Sequence, residues 1–145
     1  MYRPRRLTGE ERFRIAARVI ENRRAIPGEC EDACGRCDDC LKRKFALWSR
    51  LCEPNAAVYA IENGTGPKAV ILWVDGNEMH GHAWDGQLLN KSEAVREIIE
   101  ERLRDYPMVR MTVPAGSEII ARWAVKRLGF TLSGKANNVY HLWRN

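Results

Sequence analysis

The sequence predicts one α/β domain, with four helices and seven strands, over residues 1–145. Three observations carry this prediction. The length suits a single domain of ordinary size. Apolar residues recur at helical spacing in four segments, and seven short segments have the alternating or continuous apolar character of strands. Hydrophobic residues make up 45% of the chain and charged residues 30%, a composition that argues against disorder.

The first third of the chain is predicted to hold a short strand at 2–5 and two helices. The first helix covers about 9–25 and begins at a capping box formed by Thr8 and Glu11. The second helix covers about 38–52. Its predicted apolar stripe consists of Leu41, Phe45, Trp48 and Cys52.

The middle of the chain is predicted to form three consecutive strands, at 56–62, 69–74 and 79–84. The run 69–74 is continuously apolar, which indicates a central strand buried on both faces. Asp75-Gly76 predicts a hairpin between the second and third of these strands.

The last third is predicted to alternate helices and strands. Asn90 and Glu93 form a capping box for a helix that ends near 105, and a strand follows at 109–113. Ser117 is predicted to cap a fourth helix. The remaining signals are Gly129 as its left-handed end and two last strands at 130–132 and 139–143.

The net charge and the hydropathy of the sequence narrow the classes of partner and the cellular compartment to be expected. The net charge of +5 favours acidic partners, but no nucleic-acid-binding motif accompanies it. The longest apolar runs are too short to span a bilayer, so no membrane association is expected. The basic start at residues 1–6 is not followed by the apolar segment of a secretory signal, so the expected compartment is the cytoplasm.

Four cysteines lie within eleven residues, and their spacing leaves three readings open. They could bind a structural zinc ion, line a helix face as small apolar side chains, or serve a redox or iron–sulfur role. On the helical reading, three of them continue into Leu41 at spacings of four, three and four. Five cysteines in total, an odd number, argue against a disulfide framework. The candidate metal ligands are Cys30, Cys34, Cys37 and Cys40.

The predicted order β-α-α-β-β-β-α-β-α-β-β resembles that of the GNAT superfamily (the Gcn5-related N-acetyltransferases) over nearly the whole chain. Residues 127–130, Arg-Leu-Gly-Phe, are similar to the stretch that ends the fourth helix of that family and opens the next strand. The resemblance implies an α/β (α+β) fold. Its mixed, mainly antiparallel central sheet would have six to seven strands, flanked by four helices.

The segment 87–92, Gln-Leu-Leu-Asn-Lys-Ser, resembles the loop with which GNAT enzymes bind the pyrophosphate of acetyl-CoA. Asn90 and Ser92 depart from the small residues usual there, and the alternative is that Asn90 is only a helix cap. The fourth helix begins with Ser117 where the family often has Asn. The resemblance therefore implies acetyl-CoA contacts from Gln87, Leu88, Asn90, Lys91, Ser92 and Ser117.

Amine acetylation needs a base, and His80 and His82 share one face of the strand expected to line the cofactor cleft. Val125 stands where the family often has the tyrosine that protonates the leaving thiolate, and Tyr140 is the expected substitute. His141 is interpreted as a packing residue, because it alternates with two apolar residues.

The resemblance implies an acyl-CoA-dependent N-acyltransferase that moves an acetyl group to an amine, either a small molecule or a protein amine. The alternative is a catalytically inactive GNAT-fold protein that binds a host protein, because the eroded motifs are similar to those of small bacteriophage proteins of the virion or host-takeover type. The phage reading would place the protein in the host cytoplasm. A basic nucleic-acid-binding module is the third reading and rests on charge.

Overall fold

The computed structural model describes residues 1–22 and 36–145. Four helices and seven strands follow the predicted order. The helices are α1 (Gly9–Asn22), α2 (Asp38–Leu51), α3 (Ser92–Leu103) and α4 (Glu118–Leu128). The strands are β1 (Arg3–Arg6), β2 (Ala57–Glu62), β3 (Pro67–Val74), β4 (Glu78–Ala83), β5 (Val109–Pro114), β6 (Thr131–Ala136) and β7 (Val139–Arg144). Among the described residues, no helix has the length and apolar character needed to cross a membrane.

All seven strands join one mixed sheet in the order β1-β2-β3-β4-β5-β7-β6. Neighbouring strands are antiparallel except β4 and β5, which are parallel. This confirms the predicted mainly antiparallel sheet. The parallel pair sits in the middle of the sheet, and it marks the place where the first four strands meet the last three.

The sheet separates two apolar cores. Because side chains alternate along a strand, Val70 and Leu72 of β3 face α1 and α2, whereas Ile71 and Trp73 face α3 and α4. All four are 1% exposed or less, so the continuous apolar run of β3 is explained by burial on both faces.

The apolar stripe predicted for α2 is wrong. The buried side chains of this helix are Cys40, Leu47 and Leu51, whereas Leu41 is 52% exposed and Phe45 is 72% exposed. Two neighbouring stripes of α2 have helical spacing. The sheet packs against the stripe displaced by one residue from the predicted one.

Two predicted helix caps also differ from the structure. Helix α3 is preceded by a 3-10 turn at Leu89–Lys91, so its N-cap is Lys91 instead of Asn90, and no side chain caps it. Ser117 is the N-cap residue of α4, but its hydroxyl makes no capping hydrogen bond. The predicted end of α4 is confirmed, because Gly129 has a left-handed φ of 78°.

Both the backbone angle and the surrounding space require a glycine at position 76, in the β3–β4 turn. Its φ is +80°, and a Cβ there would lie 2.6 Å from Cε1 of Tyr106. We expect Gly76→Ala to destabilise the protein by about 2 kcal/mol, measured by urea unfolding, because strain and overpacking add. Gly64→Ala is the matched control, since Gly64 has φ +99° but open space around it. Equal losses for the two variants would contradict the steric part of this prediction.

Candidate functional site

A gap in the backbone pairing lies between β4 and β5. The described parts of these strands are paired only at Glu78 and Arg110, near the start of each strand. The Arg110 N–H also donates to the Asn77 carbonyl at 2.9 Å. Beyond this junction no further backbone pairing joins the described residues of the two strands. A gap inside a sheet leaves backbone N–H and C=O groups without strand partners, so it can accept an extended ligand.

A cleft of about 620 Å³ lies beside the amino end of α3. Along the chain, α3 follows the loop that leaves the carboxyl end of β4. The first-turn residues Ser92, Glu93 and Ala94 contribute to its wall. The N–H groups of a first helical turn have no partner inside the helix, and the helix dipole is positive there, so this end favours an anion. The remaining lining residues are Met1, Tyr2, Leu89, Asn90, Lys91, Arg96 and Arg127.

Two arginines on the cleft wall were not identified from the sequence. Arg96 lies one helical turn after Ser92, and its Nε donates to the Arg127 carbonyl at 3.0 Å, which ties α3 to the end of α4. The side chain of Arg127 is exposed and lines the same cleft. The spacing of four from Ser92 is a signal that could have identified Arg96. Arg127 comes from a different helix, and only the fold brings it here.

Lys91 does not offer its charge to the cleft as the sequence suggested. Its side chain is fully buried. Its Nζ lies 2.8 Å from Oδ2 of Asp85 and 2.9 Å from Oδ1 of Asn90, and it also donates to the Gln87 carbonyl. These acceptors enclose the ammonium group. The positive charge available to a ligand in this cleft therefore comes from Arg96 and Arg127.

The other residues predicted to bind the cofactor lie around the cleft rather than in its wall. Gln87 is exposed, and its Oε1 accepts from Asn90 Nδ2 at 2.8 Å. Leu88 packs against the core on the α3 side, and Ser117 lies at the start of α4. Contacts from these residues to a cofactor stay predictions.

Ser92 is tied to α4 through a buried tryptophan. Trp123 Nε1 donates to Ser92 Oγ at 2.8 Å, and this hydroxyl donates to the Leu89 carbonyl at 2.9 Å. The single proton of this hydroxyl is therefore used inside the protein and is not available to an anion in the cleft.

His80 and His82 share a face of β4, as predicted, because they pair with Leu72 and Val70 of the α1/α2 core. His80 is 9% exposed. It lies about 7 Å along the strand from the Glu78 junction, at the inner end of the gap. His82 is half-buried and its ring lies edge-on to Trp84. A role for either side chain in proton transfer stays a prediction.

A charged cluster surrounds the junction of β4 and β5. Arg50 of α2 contacts the carboxylates of both Asp75 and Glu78, and Glu78 Oε2 lies 3.6 Å from Nε2 of His80. The hydrogen bond from Arg50 holds the pKa of Asp75 below its ordinary value of 3.8. The stability that this pair contributes is therefore present above that pH and is lost as the pH falls below it.

Tyr140 lies on the opposite face of the sheet from the two histidines. It pairs with Val113 and packs against the α3/α4 core, half-buried, with Lys135 over its ring. Val125 is 41% exposed on α4. Neither the position of Tyr140 nor that of Val125 supplies a general acid on the face that carries His80.

A second cleft, of about 400 Å³, begins at the β4–β5 junction and extends over β5 and β7. Arg110, Thr112 and His141 line it together with Glu78. His141 is exposed there, so its interpretation as a packing residue is wrong. His141 can be exposed although its neighbours on this face are apolar, because, among the described residues, the core beneath α1 and α2 includes none from the last three strands. Glu78 connects this cleft to His80, since it lines the cleft and lies near the imidazole.

Two of the four cysteines proposed as metal ligands, Cys30 and Cys34, lie outside the described residues. Cys37 is exposed before α2, whereas Cys40 is fully buried in it, so the proposed helical cysteine stripe does not continue into this helix. Within residues 1–22 and 36–145, no group of three or more His, Cys, Asp or Glu side chains is arranged to hold a metal ion. A zinc site gains no support.

Comparison with solved structures identifies the fold. The chain is similar to the Campylobacter jejuni N-acetyltransferase PseH in complex with acetyl coenzyme A, with a TM-score of 0.62 and 10% identity over 100% of this chain and 99% of that one. It is similar to spermidine N-acetyltransferase from Vibrio cholerae in complex with CoA and spermine, with a TM-score of 0.64 and 10% identity over 99% and 94%.

An acetyltransferase of the GNAT family from Streptococcus pneumoniae is similar over 99% of this chain and 98% of that one, with a TM-score of 0.59 and 15% identity. No protein-family model matches the sequence, and no curated protein matches it. The chain has the GNAT fold, with 10–15% sequence identity to these three structures.

Proposed function

We propose that this protein is an acyl-CoA-dependent N-acyltransferase that moves an acetyl group from acetyl-CoA to an amine. The observation that carries the proposal is the single pairing between the described residues of β4 and β5, together with the cleft at the amino end of α3, the helix that follows β4 in the chain. In this proposal the extended thioester arm of the cofactor lies in the gap, and the cofactor phosphates bind in the cleft beside Arg96 and Arg127. The structural relatives that bind acetyl-CoA or CoA support this assignment in kind.

The proposed roles follow from position. His80 removes a proton from the acceptor ammonium group, and the amine then attacks the thioester carbonyl. Glu78, 3.6 Å from His80 Nε2, stabilises the imidazolium that forms. The bond between carbon and sulfur then breaks. The nitrogen passes its second proton to water in the gap, and the thiolate takes a proton from that water, so the products are the amide, the free thiol and protonated His80. The acceptor enters through the second cleft, past Arg110 and His141.

Release of free thiol from acetyl-CoA tests the activity. We expect steady thiol release when purified protein, acetyl-CoA and a panel of small amines are mixed, and no release when either substrate is omitted. The panel covers amino acids, polyamines and aminoglycosides. A lysine-containing peptide extends the panel to protein amines. No release with any acceptor would count against the enzyme.

Reversal of charge at Arg127 tests the phosphate site. We expect Arg127→Glu to raise the Kd of CoA about tenfold, measured by calorimetry, because a charge-assisted contact is replaced by repulsion. Arg122→Glu is the matched control. Arg122 also lies on α4, but it pairs with Glu118 and lies outside the cleft wall. Equal effects of the two substitutions would mean that the site is elsewhere.

A partner-binding role has one observation in its favour. Leu41, Phe45 and Trp48 of α2 form the wall of a surface groove with Ile20 of α1. The basic residues Lys42 and Arg43 are exposed beside it. This alternative predicts no affinity for CoA, so the calorimetric measurement that tests the phosphate site also separates the two functions.

A further inference from the structure

Lys91 is the most deeply buried charged side chain in the described part of the chain, at 1% exposure. Its ammonium group has Oδ1 and Oδ2 of Asp85 at 3.0 and 2.8 Å, and Oδ1 of Asn90 at 2.9 Å. The Gln87 carbonyl is the third acceptor. The three protons of the ammonium group are therefore satisfied. Burial of a lysine is unfavourable unless it is paired in this way.

All three acceptors belong to the loop that joins β4 to α3. Asp85 follows the end of β4, and Lys91 is the residue immediately before α3. Asp85 Oδ1 also accepts from the Gln87 N–H at 3.0 Å, so the carboxylate links both halves of the loop. The centre of the Tyr2 ring lies 4.6 Å from Nζ, so the ring also contacts the ammonium group. The ammonium group therefore binds acceptors at the start, in the middle and at the end of the loop.

We infer that Lys91 is a positioning residue, which holds the first-turn N–H groups of Ser92, Glu93 and Ala94 toward the cleft without touching the ligand. This inference rests on the proposed function, since it concerns how the cofactor phosphates are held. An anion site gains affinity when its donors are fixed before the ligand arrives. Here the ion pair between the buried Lys91 ammonium group and the exposed Asp85 residue supplies that rigidity.

Two variants separate positioning from direct contact. If Lys91 positions the loop, both Lys91→Met and Asp85→Asn raise the Kd of CoA about tenfold or more, since each breaks the same ion pair to the buried ammonium group. If Lys91 instead contacts phosphate, Asp85→Asn frees its charge and leaves the Kd unchanged or lowers it. Lys42→Met, on the exposed surface of α2, is the control and leaves the Kd unchanged. Tighter or unchanged binding by Asp85→Asn would overturn the inference.

Amide hydrogen exchange of the free protein supplies a readout that needs no cofactor. We expect Lys91→Met to speed exchange at residues 95–97, whose N–H groups donate to the carbonyls of residues 91–93 at the start of α3, while the amides of β3 stay protected as in the parent protein. This result together with no CoA binding by the parent would reject the proposed function and keep the positioning role. CoA binding by the parent with unchanged exchange and unchanged Kd in Lys91→Met would overturn the positioning role alone.

Discussion

Replacement of His80 by glutamine is expected to lower kcat for amine acetylation about 100-fold, because loss of a general base costs a factor of this order. His80 lies at the inner end of the gap between β4 and β5, is nearly buried, and has the carboxylate of Glu78 near its Nε2. Glutamine keeps the size and polarity of the side chain but cannot take the proton. The KM for acetyl-CoA should change little, since the phosphates bind at the other end of the gap.

His82→Gln is the matched control, because this residue is on the same face of β4 but packs edge-on against Trp84. Steady-state rates with the best amine from the thiol-release screen provide the measurement. The dependence of rate on pH should also become flatter on its acidic side in His80→Gln. Equal losses for the two histidine variants would contradict a specific role of His80.

Removal of the Arg102 side chain is expected to cost about 3 kcal/mol of stability. Its Nε donates to the Gly76 carbonyl at 2.6 Å, and its Nη2 donates to the Asn55 carbonyl. The guanidinium also lies 5.6 Å from the centre of the Trp73 ring and 4.7 Å from that of Tyr106. Each hydrogen bond from a charged group is worth about 1.5–3 kcal/mol. Arg102→Ala leaves both carbonyls without a partner.

The expected fall in the thermal midpoint of Arg102→Ala is about 10 °C, measured by circular dichroism. Burial lowers the pKa of Arg102 below its ordinary value, but the group stays protonated near neutral pH, so the loss should not vary between pH 6 and 8. Arg104→Ala, two residues further on and exposed, should change the midpoint by less than about 2 °C. A similar loss at both positions would contradict this account.

The order of elements could be predicted because local signals and tertiary packing agree along most of the chain. The continuous apolar run of β3 requires burial on both faces, and the structure provides it. Gly129 requires no tertiary information, because a left-handed residue at a helix end is a local demand. The two final strands were also predicted, at 130–132 and 139–143, although β6 is exposed throughout and extends to Ala136.

Helix α2 shows where local signals are insufficient. Its residues Leu41, Phe45 and Trp48 and its residues Cys40, Leu47 and Leu51 both have the spacing of a buried face. Periodicity cannot choose between them. The choice depends on how α2 meets α1 and the sheet, which is a property of the assembled fold.

The sequence predicted the place of the candidate site better than it predicted which charged side chains would face a ligand there. The loop at 87–92 does precede the cleft, but its conspicuous cation, Lys91, is neutralised by Asp85 six residues earlier. Nothing in a linear sequence shows that these two side chains meet. Arg127 is the converse case, since the sequence places it at the end of a helix and only the fold brings it to the cleft.

Titration of isotope-labelled protein with acetyl-CoA, followed by amide chemical shifts, tests the central claim most directly. We predict saturable shifts that are largest at residues 89–96, at Arg127, and along the separated ends of β4 and β5. Such a pattern would place the phosphates at α3 and the thioester arm in the gap. An absence of shifts at millimolar acetyl-CoA, or shifts confined to the groove between α1 and α2, would contradict the proposed acyltransferase.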